Sequence, residues 1–561
     1  MKEQLEQKLN QVADALGYGK ILKVILSNRP ELCDFQCDDA FKLAKTFHKN
    51  PMVIGEEIVS ALQKESDFLT YFKEVSFVKP GFINMTVSDA FINQNLEKML
   101  QEDQFGLSKP SQQDLYIIDY GGANVAKPLH VGHMRTAMVG ESIKRIIQYM
   151  GHKTISDVHL GDYGMQIGQV IYGILEDGKT KDDLTLAYLE KTYPRVSGLC
   201  KEDASVREKC AEITKDLQEG NPTYHALFEA ILEISGEDIK RLYRYLGVSF
   251  DLWQGESNAY PYIADTEKYL KPYIKESEGA KIIEVADETG NELPPLLFQK
   301  SNGAYLYATT DLATIYDRMQ KYHPSYILYV VDNRQSLHFK QVFNVCEKSG
   351  LTENTKLEFL GYGTVNGIDG KPFKTRSGDA PKLEDFFKQI GDLFISKKEE
   401  NKDMPKEDID KIVNAILKFA DLQNSRERDY IFDVAKFGDV TGKTGPYILY
   451  TYLRIQKILE KESIKVELND TIYGEVDRRL RLKLLELPAS LEMAFLERKP
   501  NYLADFIYNV AVLANNFYQS NHIIGLEDVE KREAWVTILS LTNRVLKEML
   551  YLLGIEIPTF M

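Results

Sequence analysis

Apolar and polar positions along the chain change rhythm three times. In the first segment, residues 1 to about 110, two rhythms mix. MKEQLEQKLNQVADALG has helical spacing, as does DFQCDDAFKLAKTFHKNPMVIGEEIVSAL, which Asn50-Pro51 breaks into two helices. EVSFVKPGFINMTV then carries β-rich runs on either side of Lys79-Pro80-Gly81, a turn signal. This predicts an α+β N-terminal domain over 1–110, with the polar stretch Leu107 to Gln113 as its linker.

The second segment, 111–396, alternates short apolar runs with helical ones. LYIIDY (Leu115 to Tyr120) reads as a strand and GGANVAKPLHVGH as a loop. MRTAMVGESIKRIIQYM reads as a helix with Met134, Ala137, Met138, Ile143, Ile146, Ile147 and Met150 on one spacing, closed by Gly151. KTISDVHL, YILYVVD (Tyr326 to Asp332) and EFLGYGTV (Glu358 to Val365) are further strands. Strand–loop–helix repetition implies an α/β fold, a Rossmann-like parallel sheet with helices on both faces. Residues from about 174 to 245 are polar and helical in pattern, an insertion between two halves of that sheet. From 397 to 561 no strand is expected, and five stretches with a period of about 3.6 predict a helical bundle.

Composition narrows the function. Of 561 residues, 43% are hydrophobic and 27% charged, an ordinary globular balance. The net charge of −15 excludes a protein coated in positive charge, and no DNA partner is expected, but local basic patches remain open. Cys33, Cys37, Cys200, Cys210 and Cys346 lack the paired spacing of a zinc site. Reduced, structural thiols and no tightly bound metal are expected. The N-terminus has no signal-peptide core, and no apolar run approaches the ~20 residues that span a bilayer. A cytoplasmic protein without a membrane partner is therefore expected, monomeric by default.

The most informative stretch is Ala123 to His133, between a strand and a helix. A helix N-terminus offers free N–H groups and a positive dipole end, which suit phosphate. Gly132 permits close approach of a flat ligand, and His130 and His133, three apart, can face one ligand and donate to phosphoryl oxygens. By spacing alone, a metal pair or two cap histidines remain open.

The whole string resembles the HIGH signature of class I aminoacyl-tRNA synthetases, in the form His-x-Gly-His. Asn124 and Lys127-Pro128 resemble the arginyl-tRNA synthetases among them. KLAK, NP and PGFIN resemble that family's additional N-terminal domain. HLGDYGMQIG (His159 to Gly168) resembles its motif after HIGH, and TGPYILYTYLR its anticodon-binding domain. The resemblance spans the chain. It implies an arginine–tRNA ligase that joins arginine to ATP, used with Mg2+, as arginyl-adenylate with release of diphosphate. The arginine then passes to the 3′ end of tRNA(Arg), leaving AMP.

The second class I signature, a KMSKS loop, appears here only as Phe373-Lys374-Thr375-Arg376-Ser377-Gly378-Asp379. Lys374 and Arg376 could close positive charge over diphosphate, or be a solvated basic turn. The degenerate loop makes Lys127 a further candidate: it precedes His130 by three residues, and Pro128 holds it on an extended segment. The expected ATP site is thus His130, Gly132, His133 and Lys374, with Lys127 and Arg376 adding catalytic charge.

An arginine pocket needs carboxylates for a planar guanidinium. Tyr307 and Asp311 are four apart and share a face at a helix start; Glu256 follows a predicted strand; Gln335 lies just past a strand end. On spacing alone each could be a surface or capping residue. The resemblance implies that Tyr307, Asp311, Gln335, Asn124 and Glu256 bind arginine, with Asp119 near its ammonium group. For tRNA, Tyr447, Tyr450 and Tyr452 with Lys443 and Arg454, and the run Arg478 to Lys483, are either core and helix-face residues or base-stacking and phosphate contacts. The residues favour the former. The resemblance implies that this bundle reads the anticodon and that the N-terminal domain meets the outer corner of the tRNA. Two other classes, a regulatory binding module without catalysis and a nucleotidyltransferase for a small molecule, fit less well. The first would not need His130, His133, Asp311 and Gln335 intact, and the second would not need the two flanking domains.

Overall fold

The computed structural model describes all residues except 108, 288, 372–381, 398–401, 463–467 and 469–470. By packing, the chain falls into two compact units. One gathers Met1–Ser108 with Thr451–Ser490 and Phe506–Lys547; the other holds Lys109–Tyr450 with Leu491–Asp505 and Glu548–Met561.

The first unit has an antiparallel sheet of β1 (Ile25–Leu26), β2 (Phe35–Cys37), β3 (Phe72–Val78) and β4 (Phe82–Val87), in the order β1-β2-β4-β3. Ile83, Met85 and Val87 point to the buried side, as do Phe35 and Cys37 opposite them, the alternation a half-buried strand needs. Asn50 and Ser88 cap the Pro51–Leu62 and Asp89–Gln101 helices, accepting from Met52 N–H at 2.9 Å and Phe91 N–H at 3.1 Å. Pro51, at the first helical position, gives up a donor that would have no helical partner anyway. The Glu475–Leu484 helix lies on the Asp89–Gln101 helix. Charged groups join them: fully buried Arg481 donates to Asp477 of its own helix at 2.7 Å and to Asn93 of the other at 2.6 Å, and Arg478 lies 3.4 Å from Asp89 and grips both oxygens of Asp34 at 2.9 Å.

The second unit contains β5 (Leu115–Asp119) and β6 (Lys153–Asp157), then β7 (Ile274–Ser277), β8 (Ala280–Ala286) and β9 (Glu292–Gln299), then β10 (Tyr326–Tyr329) and β11 (Lys356–Phe359). β11-β10-β5-β6 form the expected all-parallel sheet. The two central strands, β5 and β10, read as nearly continuous apolar runs because both faces are covered, whereas the edge strands β6 and β11 mix polar residues in; Ile117 and Ile327 are fully buried in a core shared with Leu312, Ile315 and Val342. Each such side chain contributes roughly 1.5–3 kcal/mol on burial. The Val131–Tyr149 helix follows β5, with Met134, Ala137, Met138, Ile143, Ile146 and Ile147 buried as their spacing predicts, and Gly151 ends it at φ +93°. Helices Met165–Glu176, Leu186–Glu202, Ala204–Gln218 and Pro222–Tyr245 fill most of the stretch after β6.

Two expectations need correction. The antiparallel sheet β7-β8-β9 was not anticipated. Its turns are legible at Glu278-Gly279 and Gly290-Asn291, but Pro294-Pro295 inside β9 disguises the last strand. The region beyond 397 is not strand-free: β13 (Tyr430–Ile431) pairs in parallel with β12 (Val365–Asn366). A two-residue strand has no periodicity to read, and only its distant partner makes it one. All five cysteines are free thiols, with Cys200 Sγ 3.7 Å from Cys210 Sγ. No helix among the described residues is long and apolar enough to cross a membrane.

Candidate active site

The carboxyl ends of β5 and β6 place Asp119 beside Asp157 in register. Arg318, from the Tyr307–Tyr322 helix, reaches under both and donates from one nitrogen to each carboxylate at 2.7 Å. His159, just past β6 with a left-handed φ of +39°, sets Nδ1 3.7 Å from Asp157. Burial alone would lower its imidazole, but Asp157 and Asp119 outweigh that and hold it up to about 9. Burial likewise opposes the charge on Asp157, yet His159 and Arg318 keep it well below the usual carboxylate range. Two acids thus face two cations, and the cluster closes near neutrality. Ligand atoms of Asp119, Asp157 and His159 lie within 4.8 Å of one another, close enough for a metal, but the Arg318 guanidinium already bridges the carboxylates a cation would need.

Above the sheet edge, the loop after β5 pairs with HLG: Val125 N–H donates to Gly161 at 3.0 Å, and Gly161 N–H to Ala123 at 2.9 Å. A Cβ on Gly161 would stand 2.7 Å from the Asn124 side-chain oxygen, so glycine is what lets Asn124 lie there. Thr136 ties the loop down, accepting from Gly121 N–H at 3.0 Å and donating to Val330 at 2.7 Å.

His130 caps the Val131–Tyr149 helix. Its Nδ1 accepts from Gly132 N–H at 3.1 Å, and His133 Nδ1 accepts from His130 N–H at 3.2 Å. An accepting Nδ1 on a neutral ring puts the proton on Nε2, so each ring keeps one Nε2–H donor. Both rings are neutral at pH 7: burial, then Lys127 and Arg334, lower His130, and burial, His130 and Lys127 push His133 down to about 3. Two uncharged donors, centroids 4.0 Å apart, stand half-buried at a helix N-terminus whose Gly132 is exposed. A Cβ at Gly132 would press the His130 ring at 3.0 Å, so a side chain here would turn that donor aside. Lys127 lies over the Tyr193 ring, 4.6 Å from its centroid.

On the other side, Tyr307 and Asp311 share a face of their helix as expected; Tyr307 is 59% exposed. Glu256 starts a short helix, Glu256–Ala259, with its N–H on Leu160 at 3.0 Å. Burial, and after it Asp162, raises its carboxyl to about 7, with Asp311 adding to the effect. Tyr307 in turn feels Glu256, Tyr193 and Asp311. The structure therefore brings Tyr307, Asp311 and Glu256 together, with Tyr193 linking them to Lys127. Gln335 is exposed in the turn Asn333–Gln335, and Asp119 faces Arg318 within the buried cluster. Lys374 and Arg376 lie outside the described residues. A cavity of about 640 Å3, lined by Gly367, Gln389, Phe432 and Val434 among others, contains none of these groups.

Comparison with known proteins adds to this geometry. The family described as tRNA synthetases class I (R), catalytic domain, matches residues 95–434. The arginyl tRNA synthetase N terminal domain matches 1–87, and the DALR anticodon binding domain 448–561. An arginine–tRNA ligase of Alkaliphilus oremlandii is 41% identical over 99% of both chains. The chain belongs to the arginyl-tRNA synthetases. A second arginine–tRNA ligase, from Agathobacter rectalis, is 39% identical over 99% of this chain and 98% of its own. Among solved structures, the arginyl-tRNA synthetase of Plasmodium falciparum superposes with a TM-score of 0.83, covering 100% of this chain and 99% of that one at 23% identity. That of Thermus thermophilus gives 0.80 at 22% identity over the whole of both chains, and both show the same fold.

Several residues of the candidate site are not marked by the local sequence. His159 and Asp162 lie inside HLGDYGMQIG, where spacing alone assigns neither a role. Arg318 follows Asp311 by seven residues, two turns along one helix, and nothing local sets it apart from its charged neighbours Asp317 and Lys321. His338 follows Gln335 by three and bonds Asp311 at 2.5 Å, a pairing across 27 residues that no local pattern shows. In the basic run the structure agrees with the reading that the residues favour. Arg478 and Arg481 turn inward onto Asp34, Asp477 and Asn93, and Lys483 binds Glu486 at 2.7 Å. Of the charged residues in that run only Arg479 is exposed.

Proposed function

We propose that this site joins arginine to ATP and then to tRNA(Arg). The observation that carries the proposal is the pairing of an acidic pocket, Tyr307, Asp311 and Glu256, with a helix N-terminus that presents two neutral histidine donors. Asp311 and Glu256 take the guanidinium and ammonium charges, with Asn124, Gln335 and Asp119 completing the arginine site. A planar, bidentate cation suits such acceptors, and lysine, a point charge, leaves them underused.

In the first step a carboxylate oxygen of arginine attacks the α-phosphorus. The bond to the β-phosphate breaks, and diphosphate leaves. ATP enters as its magnesium complex. His130 and His133 donate to phosphoryl oxygens as charge builds on them, and Lys127, with Lys374 and Arg376, offsets the departing charge. In the second step the 3′-terminal hydroxyl of tRNA attacks the arginyl carbonyl, AMP leaves, and the hydroxyl proton goes to phosphate or solvent. No covalent enzyme intermediate is needed, and rate comes from positioning and charge stabilisation.

We assign 111–396 to catalysis, with a helical insertion at about 174–245, 397–561 to anticodon reading and 1–110 to the outer corner of the tRNA, in a cytoplasmic protein. The test is aminoacylation and ATP–diphosphate exchange with twenty amino acids, with and without tRNA. Arginine alone should support both. Asp311→Ala should raise the arginine KM by roughly 10- to 100-fold, the worth of a charged hydrogen bond, while the KM for ATP holds. An unchanged arginine KM would remove Asp311 from the pocket.

A further inference from the structure

We propose that His338 is a positioning residue for the arginine pocket: it holds the Asp311 carboxylate in the orientation that receives the guanidinium. This rests on the reading that Asp311 binds arginine.

His338 lies in the first turn of the Ser336–Ser349 helix, and Asp311 one turn into the Tyr307–Tyr322 helix. Nε2 of His338 stands 2.5 Å from Oδ2 of Asp311, a short contact across two helices. Both side chains stay partly open, 27% and 21% exposed, so the pair sits at the surface of the pocket and not in the core. The ring is itself held, edge-on to Phe339 with centroids 5.1 Å apart at 80°, and Phe339 is buried against Tyr329 at the end of β10. A chain of contacts thus runs from the central sheet through Phe339 and His338 to one oxygen of Asp311.

A carboxylate accepts at two oxygens with about four lone-pair sites, and a guanidinium uses one from each in a single plane. Free rotation about the last torsion of an aspartate would leave that plane unset. The His338 bond on Oδ2 sets it and leaves Oδ1 and the remaining Oδ2 lone pair for the ligand. No other hydrogen bond or ion pair to the Asp311 carboxylate is found among the described residues, so without His338 the arginine would have to order it on binding, at a cost in affinity. Glu256 and Tyr307 act on Asp311 only through space.

Four variants of the full chain test this: His338→Ala, His338→Gln, Asp311→Ala and the double variant His338→Ala/Asp311→Ala, each assayed by steady-state tRNA arginylation and by thermal unfolding. His338→Ala should raise the arginine KM on the order of tenfold, with kcat and the ATP KM close to wild type, as expected for lost ground-state positioning. His338→Gln, whose amide can donate from a similar place, should recover most of that loss. The double variant should bind arginine no worse than Asp311→Ala alone, because His338 acts only through that carboxylate. A structural staple would instead lower the unfolding temperature in both His338 variants and multiply independently with Asp311→Ala; that result, or a wild-type KM in His338→Ala, overturns the proposal. If Asp311→Ala itself leaves arginine KM unchanged, the pocket reading fails first, and the two failures are told apart by that arm.

Discussion

Two of the places where the molecule buries arginine among carboxylates do opposite things with the result. Under the parallel sheet, Arg318 neutralises Asp119 and Asp157 with help from His159. With those acids satisfied, Asp311 and Glu256 remain as acids with no arginine or lysine partner among the described residues, Asp311 held by His338 and Glu256 raised to about 7 by burial and by Asp162. On the Glu475–Leu484 helix, Arg478 and Arg481 are consumed outright by Asp34, Asp477 and Asn93, and Trp535 Nε1 adds a donor to Asp477 at 3.3 Å. The first arrangement leaves charge over for a ligand; the second leaves none and ties the Asp34 and Asn93 segment to the C-terminal helices.

That contrast can be broken first at its structural end. Arg481→Leu leaves Asp477 buried without its guanidinium and should cost about 3–5 kcal/mol of stability. Thermal unfolding should show a drop of many degrees, while arginine KM in the folded fraction stays as in wild type. An unfolding temperature equal to wild type would mean the pair is dispensable and the two regions differ less than they look.

At the catalytic end, Lys127 is held over Tyr193 and makes its charge felt at both histidines. Lys127→Ala should lower kcat by roughly 10²–10³ with little change in arginine KM, the signature of a contact made in the transition state. Lys127→Arg should restore only part. Wild-type turnover in Lys127→Ala together with an inactive Lys374→Ala would move that charge to the 373–379 loop.

A smaller effect should follow pH. Because the Glu256 carboxyl is raised to about 7, it is largely protonated at pH 6 and charged at pH 8. An arginine cation favours the charged form, so affinity for arginine should rise with pH through about 7, by at most tenfold per unit. Stability runs the other way: the folded state prefers protonated Glu256, and that contribution, full below the ordinary carboxylate range, is lost as pH rises through about 7. Glu256→Gln should flatten both curves; a pH profile unchanged in the variant would assign the titration elsewhere.

The smallest effect belongs to Arg479, the one charged residue of the basic run left exposed. Arg479→Ala should leave arginine and ATP kinetics alone and reduce the salt dependence of tRNA binding by about one charge. No change in that slope would take this helix off the tRNA-contacting surface.

From the chain alone the central strands β5 and β10 were legible, because strands covered on both faces are continuous apolar runs, and so was the helix after β5, because one buried face imposes a 3.6 period. The loop with His130, Gly132 and His133 was legible for a related reason: a helix start, a glycine and two histidines three apart are local facts. So was the shared face of Tyr307 and Asp311. What tertiary structure decided was the pairing of charges. Arg318 with Asp119 and Asp157, His338 with Asp311, and Arg481 with Asn93 join residues 199, 161, 27 and 388 positions apart. Hydrogen-bond partners follow from proximity in space, and hydrophobic periodicity fixes only which face of an element is buried, not which distant residue it meets. Arg478 and Arg481, whose basic run left a helix face and an RNA contact both open, take inward partners that no local pattern names, and Pro294-Pro295 inside β9 hid the sheet of β7, β8 and β9.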